Sequence, residues 1–143
     1  MAALQDIQLK RIDGGADTLA AHKGKVLLIV NVASKCGLTP QYAGLEKLFE
    51  DKRAAGLDVL GFPANNFLGQ EPGSDSEIAD FCATTYAVQF PMYSKISVAG
   101  ADQHPQEIIL GGRLRPTLTN HAIQKFIQGG SGYPTFSGIY RNI

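Results

Sequence analysis

Cysteine is scarce in this chain, and long apolar runs are absent. The only two cysteines, Cys36 and Cys82, lie far apart and match neither a metal-binding spacing nor a disulfide framework. Because no Cys-x-x-Cys motif occurs, the chain is not expected to be a dithiol oxidoreductase of the ordinary kind. The longest apolar run, residues 26–30, is far too short to span a bilayer.

Neither sign of charge dominates. Thirteen basic residues balance thirteen acidic ones, and no long run of like charges occurs. This balance argues against a partner such as nucleic acid or an anionic membrane, and it favours a small neutral substrate. Residues 1–15 mix acids with bases and lack the apolar core of a secretory signal, so a cytoplasmic location is expected.

Length predicts one domain, and the order of apolar runs predicts an α/β fold. The chain has 143 residues, an ordinary size for one core. Residues 25–32 form a nearly continuous β-branched and leucine run, typical of a strand buried on both faces. A helix is expected next, capped by Thr39, begun by Pro40 and ended by Gly56. Residues 57–62 predict a second strand, parallel to the first through a βαβ crossover.

A second helix and a third strand are expected farther along. The segment after the second strand is too rich in turn formers to be regular. Ser74 and Glu77 then form a capping box for a helix that runs to about Tyr86. Residues 90–98 predict a third strand, with Pro91 at its start or edge because proline cannot donate a ladder hydrogen bond. One face of the helix is made of Ile78, Phe81, Cys82 and Thr85.

The pattern weakens after Pro105. Residues 111–116 and 129–134 are rich in helix and strand breakers, and the apolar pattern between them is weak. We therefore expect residues 106–143 to be an incomplete or irregular C-terminal portion of the domain.

Cys36 lies where reactive groups gather in an α/β fold. It follows the first strand and precedes the capped helix, at the carboxyl edge of the sheet. A helix N-terminus carries partial positive charge and free N–H groups, which favour the thiolate, and the neighbouring Lys35 adds to this. The thiolate is the nucleophilic form of cysteine. The alternative interpretation is a small buried residue without a chemical task.

Gln70 and Cys82 are weaker candidates when judged from their own surroundings. Gln70 follows the second strand, so its amide is placed to donate to a thiolate or a peroxide oxygen, although most loop glutamines face water. Cys82 shares a helix face with Ile78 and Phe81, which favours a thiol packed against the core at rest. The histidines are scattered without a paired spacing, so we expect surface or loop residues and propose no metal site. They are His22, His104 and His121.

Three motifs, taken together, resemble the glutathione peroxidase family in its bacterial, cysteine-containing form. They are NVASKCGLTPQY (31–42), GFPANNFLGQEPG (61–73) and FPMYSKISVAG (90–100). The resemblance covers about residues 19–105. It implies a thioredoxin-like fold with a central mixed sheet flanked by helices, as a single peroxidase domain over residues 1–143.

The resemblance also implies a role for each candidate. Cys36 is identified as the peroxidatic cysteine, which attacks the O–O bond and is left as a sulfenic acid. Gln70 matches the active-site glutamine that hydrogen-bonds near the sulfur. Cys82 matches the resolving cysteine of members reduced by thioredoxin, and a bridge to Cys36 requires its helix to open locally, because bridged Cα atoms lie within about 7 Å. No cofactor is implied, and thioredoxin is favoured over glutathione as the reducing co-substrate.

The sequence departs from the family after Pro105. The family's Trp-Asn-Phe-x-Lys-Phe segment has no clear counterpart, and the chain contains no tryptophan. In the nearest echo, His121 and Ala122 replace the active-site tryptophan and asparagine. Slow turnover is then expected, since losing one preorganised donor costs about 3 kcal/mol in a transition state. Residues 106–143 are interpreted either as a divergent tail or as the product of a frameshift.

The leading hypothesis is a thiol peroxidase that reduces hydrogen peroxide and organic hydroperoxides through Cys36. Cys82 resolves the sulfenic acid, and thioredoxin or glutathione recycles the disulfide. One alternative is a catalytically impaired scaffold of the family that serves at most as a binding protein. Another is a redox sensor that passes a disulfide between the two cysteines to a partner protein. The sequence carries no sign of the oligomeric state.

Overall fold

A computed structural model describes residues 7–22, 24–35, 39–66, 69–97 and 101–102. The expected C-terminal tail, His104 and His121 lie outside the described residues. Within them, no helix is long and apolar enough to cross a membrane. The regular elements are β1 (Gln8–Lys10), β2 (Ala16–Thr18), β3 (Val26–Val32), α1 (Gln41–Lys52), β4 (Leu57–Pro63) and α2 (Asp75–Tyr86).

The parallel pair β3–β4 forms the centre of the fold. The two strands run in register from Val26 opposite Leu57 to Val32 opposite Pro63. Between them, α1 and a short 3-10 turn end at Gly56, whose φ of 97° lies in the left-handed region that glycine adopts without steric cost. This strand, helix, strand order confirms the βαβ unit expected from the sequence.

Both faces of the parallel pair are buried. Because side chains alternate along a strand, successive residues of β3 and β4 enter two different apolar clusters. Leu28 and Val59 pack with α1 and α2, while Leu27 and Leu60 pack beneath the N-terminal strands. Cys82 belongs to the cluster on the helix side. The near-continuous apolar runs in the sequence therefore reflect burial on two sides.

An N-terminal hairpin covers the second face. Strands β1 and β2 pair antiparallel, with Leu9 opposite Asp17, around a turn in which Gly14 has a φ of 93°. The sequence did not predict this hairpin. Each strand is only three residues long, too short for an alternating pattern to stand out.

The third expected strand is reduced to isolated bridges. Met92 and Ile96 make parallel bridges to Gly61 and Ala64, but the ladder between them is broken. Tyr93 donates to Gly61 and Ile96 donates to Pro63. Pro63 accepts that bond, but it has no N–H to return one, so the regular pairing stops there. An antiparallel bridge from Tyr93 to Arg11 is also present, so this segment takes part in both parallel and antiparallel pairing.

Of the two helix N-termini expected from the sequence, the structure confirms one and corrects the other. Ser74 accepts from the Glu77 N–H and Glu77 returns a bond to the Ser74 N–H, so the capping box of α2 is confirmed. For α1, Pro40 occupies the N-cap and no side chain caps it. The Thr39 hydroxyl instead donates to the Ala33 carbonyl at 2.8 Å, tying the loop before α1 to the end of β3. On α2, Thr85 is exposed, unlike the other residues assigned to its apolar face.

Candidate active site

The carboxyl ends of β3 and β4 meet at one edge of the sheet. Val32 and Pro63 are paired at this edge, and the Ala64 N–H donates to the Val32 carbonyl at 3.2 Å. The loops that follow both strands therefore start side by side. In open α/β sheets, this edge is where ligands and reactive groups collect.

A backbone hydrogen bond joins these two loops. The Lys35 N–H donates to the Gln70 carbonyl at 2.9 Å, and Gln70 is half-buried. Cys36 follows Lys35 directly in the chain but lies outside the described residues. The structure thus brings Gln70 beside the residue that precedes Cys36, while the roles of Gln70 and Cys36 stay predictions.

Cys82 is a free, buried thiol on α2. It is 3% exposed and packs in the apolar cluster on the helix side. Burial raises the pKa of its thiol, and the nearby Glu71 charge raises it further. The Tyr42 hydroxyl is near enough to lower that pKa in part, although the two groups do not reach ordinary hydrogen-bond geometry. At rest, Cys82 is therefore held as a neutral thiol away from water.

The helix that carries Cys82 ends in a left-handed residue. Ala87 has φ 50° and ψ 43°, and its N–H bonds to the Cys82 carbonyl. This conformation crowds the Cβ of an alanine, which glycine would avoid. Beyond Ala87 the chain is fixed again, because the Gln89 N–H donates to both carboxylate oxygens of Glu46 at 2.7 and 3.0 Å.

Glu71 is a buried acid that sequence reasoning did not single out. It is 1% exposed, and burial raises the pKa of its carboxyl. Hydrogen bonding from Ser34 and the positive charges of Lys95 and Lys35 lower that pKa in part. One carboxylate oxygen, Oε2, has no hydrogen-bond partner among the described residues. The available signal was its place next to Gln70, in a loop that follows a strand buried along its whole length.

A cavity of about 340 Å³ opens beside these loops. The end of β3 contributes Ser34 and Lys35, the loop after β4 contributes Glu71, and α2 contributes Ile78 and Phe81. Among the described residues, neither the buried Ser34 hydroxyl nor Glu71 Oε2 reaches ordinary hydrogen-bond geometry, although Ser34 is near enough to lower the pKa of the Glu71 carboxyl. Buried polar atoms normally have partners, so these two atoms mark a place suited to a small polar molecule.

His22 corrects the expectation of a surface histidine. It is 7% exposed and lies in a buried polar network between the hairpin and β4. Its Nδ1 donates to Asp58 Oδ2 at 2.7 Å, and its Nε2 lies 3.1 Å from the Tyr93 hydroxyl, which donates to Asp17 at 2.8 Å. The isolated position of His22 in the sequence gave no sign of partners that are distant along the chain.

Both aspartates of this network have lowered pKa values. Burial alone would raise the pKa of Asp58, but the hydrogen bond and charge of His22, together with Lys25, hold it below its usual range. At Asp17, burial is likewise outweighed by the bonds from Tyr93 and the Thr18 backbone and by the nearby positive charges. The network therefore fastens the hairpin to the sheet through charged groups.

Comparison with known proteins identifies the family. A family model described as glutathione peroxidase matches residues 4–109. The chain belongs to the glutathione peroxidase family. This confirms the resemblance drawn from the three sequence motifs, whose blocks all lie within the matched range.

Individual family relatives agree with this result. The thioredoxin/glutathione peroxidase BtuE of Escherichia coli (strain K12) is 59% identical over 97 residues, covering 68% of this chain and 53% of BtuE. The chain thus spans about half the length of that relative. The glutathione peroxidase homolog BsaA of Bacillus subtilis (strain 168) is 41% identical over 134 residues, covering 91% of this chain and 84% of BsaA.

Solved structures support the fold. The crystal structure of Trgpx in apo form aligns with a TM-score of 0.62 at 32% identity, covering 82% of this chain and 69% of that chain. Together with the parallel β3–β4 pair and the flanking helices, this likeness confirms the α/β, thioredoxin-like fold class expected from the motifs.

Proposed function

We propose that this chain is a thiol peroxidase that reduces hydrogen peroxide and organic hydroperoxides through Cys36. The observation that carries the proposal is the backbone hydrogen bond between Lys35 and Gln70. It supports a site in which the half-buried amide of Gln70 lies close to the sulfur of Cys36. The site would then combine a nucleophile with a hydrogen-bond donor for the developing charge.

In the proposed reaction, the Cys36 thiolate attacks one peroxide oxygen. An S–O bond forms, the O–O bond breaks, and the leaving oxygen departs as an alcohol or water after protonation. Cys82 then attacks the resulting sulfenic acid, forming a disulfide and releasing water. Because Cys82 is buried at rest, this second step requires α2 to open locally.

A small thiol protein is the proposed reductant. The relative BtuE is named for both thioredoxin and glutathione, and a second cysteine in this chain supports thioredoxin as the electron donor. A dithiol can reduce an internal disulfide in one exchange sequence through a mixed disulfide. The free thiol of Cys82 also fits a reducing compartment, such as the proposed cytoplasm.

Replacement of each cysteine tests the proposal. Cys36→Ser should abolish hydroperoxide consumption with thioredoxin and thioredoxin reductase present. Cys82→Ser should complete one turnover and then stop at the sulfenic acid, which a dimedone-type probe traps for mass spectrometry. Multiple turnovers by Cys36→Ser would refute the proposal, and a wild-type rate no faster than that of a free thiol would favour an inactive scaffold.

A further inference from the structure

Peroxide reduction needs a proton as well as a nucleophile. When a thiolate breaks the O–O bond of a hydroperoxide, the leaving oxygen carries the electron pair as an alkoxide or hydroxide. Both are strong bases, so an acid that protonates the leaving oxygen in the transition state lowers the barrier. General acids of this kind typically contribute about 10²–10⁴-fold to the rate.

Glu71 is positioned to be such an acid. Its backbone is fixed on both sides, since its N–H donates to Asn65 Oδ1 at 2.9 Å and its carbonyl accepts from Lys95 Nζ at 2.9 Å. Glu71 lines the cavity, and within the described part of the chain its buried Oε2 has no hydrogen-bond partner. A buried carboxyl oxygen with no bond has lost its water without compensation, so it favours an incoming oxygen ligand.

The other titratable side chains that line this cavity are less suitable. Among its described residues these are Lys35 and Glu77, and both are exposed. Glu77 is also engaged in the capping box, where its Oε2 accepts from the Ser74 N–H at 3.0 Å. Glu71 is therefore the buried acid of the cavity.

The surroundings of Glu71 also favour its protonated form. Burial raises the pKa of the carboxyl, and hydrogen bonding from Ser34 together with the positive charges of Lys95 and Lys35 offsets only part of that effect. Tyr42 and Cys82 also face this carboxyl, and burial raises their own pKa values, so both stay neutral. A carboxyl that holds its proton closer to neutral pH is a more effective general acid.

The proposed nucleophile is adjacent to this cavity along the chain. Lys35 contributes to the cavity wall, and Cys36 is the next residue in the chain. The proposed site places the second oxygen of a hydroperoxide attacked by Cys36 in this cavity.

We propose that Glu71 is a further catalytic residue, the acid that protonates the leaving oxygen of the hydroperoxide. This inference rests on the proposed peroxidase function. The sulfur of Cys36 gives two electrons to the terminal oxygen, the S–O bond forms and the O–O bond breaks. The second oxygen leaves with the bonding pair and takes the Glu71 proton, yielding an alcohol or water. When reductant regenerates the Cys36 thiol, that thiol returns its proton to the Glu71 carboxylate.

The test compares substrates whose leaving groups differ in basicity. Hydrogen peroxide and tert-butyl hydroperoxide leave as strong bases, whereas peracetic acid leaves as a carboxylate that needs no proton. Rapid-mixing rates of Cys36 oxidation are measured for wild type, Glu71→Gln and Glu46→Gln. Glu46 is the matched control, because it is also buried with a raised pKa but bonds to Gln89 and is not a lining residue of the cavity.

Glu71→Gln should slow both hydroperoxides by about 100-fold and leave the peracetic acid rate near that of wild type. Glu46→Gln should leave all three rates near those of wild type. An equal loss for hydroperoxides and peracid in Glu71→Gln, or no loss for any of them, would overturn the inference. Peroxide consumption that survives Cys36→Ser would instead defeat the proposed function itself.

Wild type alone gives a second readout if Glu71→Gln fails to fold. The ratio of the tert-butyl hydroperoxide rate to the peracid rate should fall as pH rises through the ionisation of Glu71. Both reactions use the same Cys36 thiolate, so its own titration cancels in this ratio. The range is kept below the pH at which the peracid itself ionises. A ratio that does not change with pH would overturn the inference.

Discussion

Main-chain atoms join Lys35 to Gln70, through the 2.9 Å bond from the Lys35 N–H to the Gln70 carbonyl. Gln70→Ala therefore removes the amide and leaves the junction between the loops in place. We expect kcat/KM for hydrogen peroxide to fall by about 100-fold, because one preorganised donor is lost. The free energy of unfolding should change by less than about 0.5 kcal/mol, measured by urea denaturation.

The control for this variant is Gln89→Ala. Gln89 is an exposed loop glutamine. Like Gln70, it makes its structural hydrogen bond with a backbone atom, so replacing its side chain leaves that bond in place. It should keep the wild-type kcat/KM. Equal activities for Gln70→Ala and Gln89→Ala would remove Gln70 from the proposed site.

The left-handed Ala87 makes a prediction about access to Cys82. Ala87→Gly should raise the free energy of unfolding by about 1 kcal/mol, since glycine adopts this conformation without crowding. If the last turn of α2 must open to expose the thiol, alkylation of Cys82 should slow by about fivefold. The rate is measured in a Cys36→Ser background, where Cys82 is the only thiol.

Ala83→Gly is the matched control within the same helix. Ala83 is exposed inside α2, where glycine lowers helix stability by about 1 kcal/mol. It should speed alkylation of Cys82, opposite in sign to Ala87→Gly. If both glycine variants accelerate alkylation, the left-handed residue does not control the opening.

Asp58 makes a prediction about acid stability. Its pKa is lowered in the folded chain, so its contribution to stability is complete above the unfolded value of about 4 and is lost as pH falls through the folded value. Asp58→Asn should lower the free energy of unfolding by about 1–3 kcal/mol at pH 7, because His22 loses its partner. The difference between variant and wild type should shrink as the pH is lowered toward about 3.

Urea denaturation across this pH range checks the prediction, with Asp51→Asn as the control. Asp51 pairs with Lys47 one helical turn away on the exposed surface of α1. Such pairs contribute little, so this variant should stay within about 1 kcal/mol of wild type at every pH. A pH-independent loss in Asp58→Asn would show that its role is packing alone.

Gly61 allows β4 to pack closely against the segment that carries Phe90 and Met92, which a substitution can test. A Cβ at Gly61 would lie 2.5 Å from Met92 Sδ and 3.1 Å from Phe90 Cε2. Gly61→Ala should therefore lower the free energy of unfolding by about 1–3 kcal/mol through overpacking. In combination with Met92→Ala, the loss should be smaller than the sum of the two single losses, as a double-mutant cycle measures. Additive losses would contradict this contact.

Most of the regular structure follows from local patterns. The apolar runs, the stop at Gly56 and the Ser74–Glu77 capping box all act over a few residues, and each was predicted from the sequence. The Thr39 cap was wrong because its hydroxyl bonds back to Ala33, a contact that requires the fold to exist. The third strand was predicted to be continuous, but its pairing is interrupted because Pro63, on the partner strand, lacks an N–H.

The candidate site shows the same division. Gln70 and Cys82 could be chosen from motifs that resemble a family. Glu71 and His22 could not, because their burial depends on partners distant in sequence, such as Lys95 for Glu71 and Asp58 for His22. From sequence alone, an acid in a loop or a lone histidine is expected to face solvent, because the tertiary contacts that bury it are not visible in the local pattern.

The hydrogen bonds from the Gln89 N–H to the Glu46 carboxylate, here called the clamp, limit how far the buried Cys82 thiol can move. Seven residues, Ala83 to Gln89, connect Cys82 to the clamped amide. Fully extended, they reach at most about 25 Å. While the clamp holds, an unwound α2 thus works as a tether of fixed length, and Cys82 can search only a bounded volume around Gln89 for its disulfide partner.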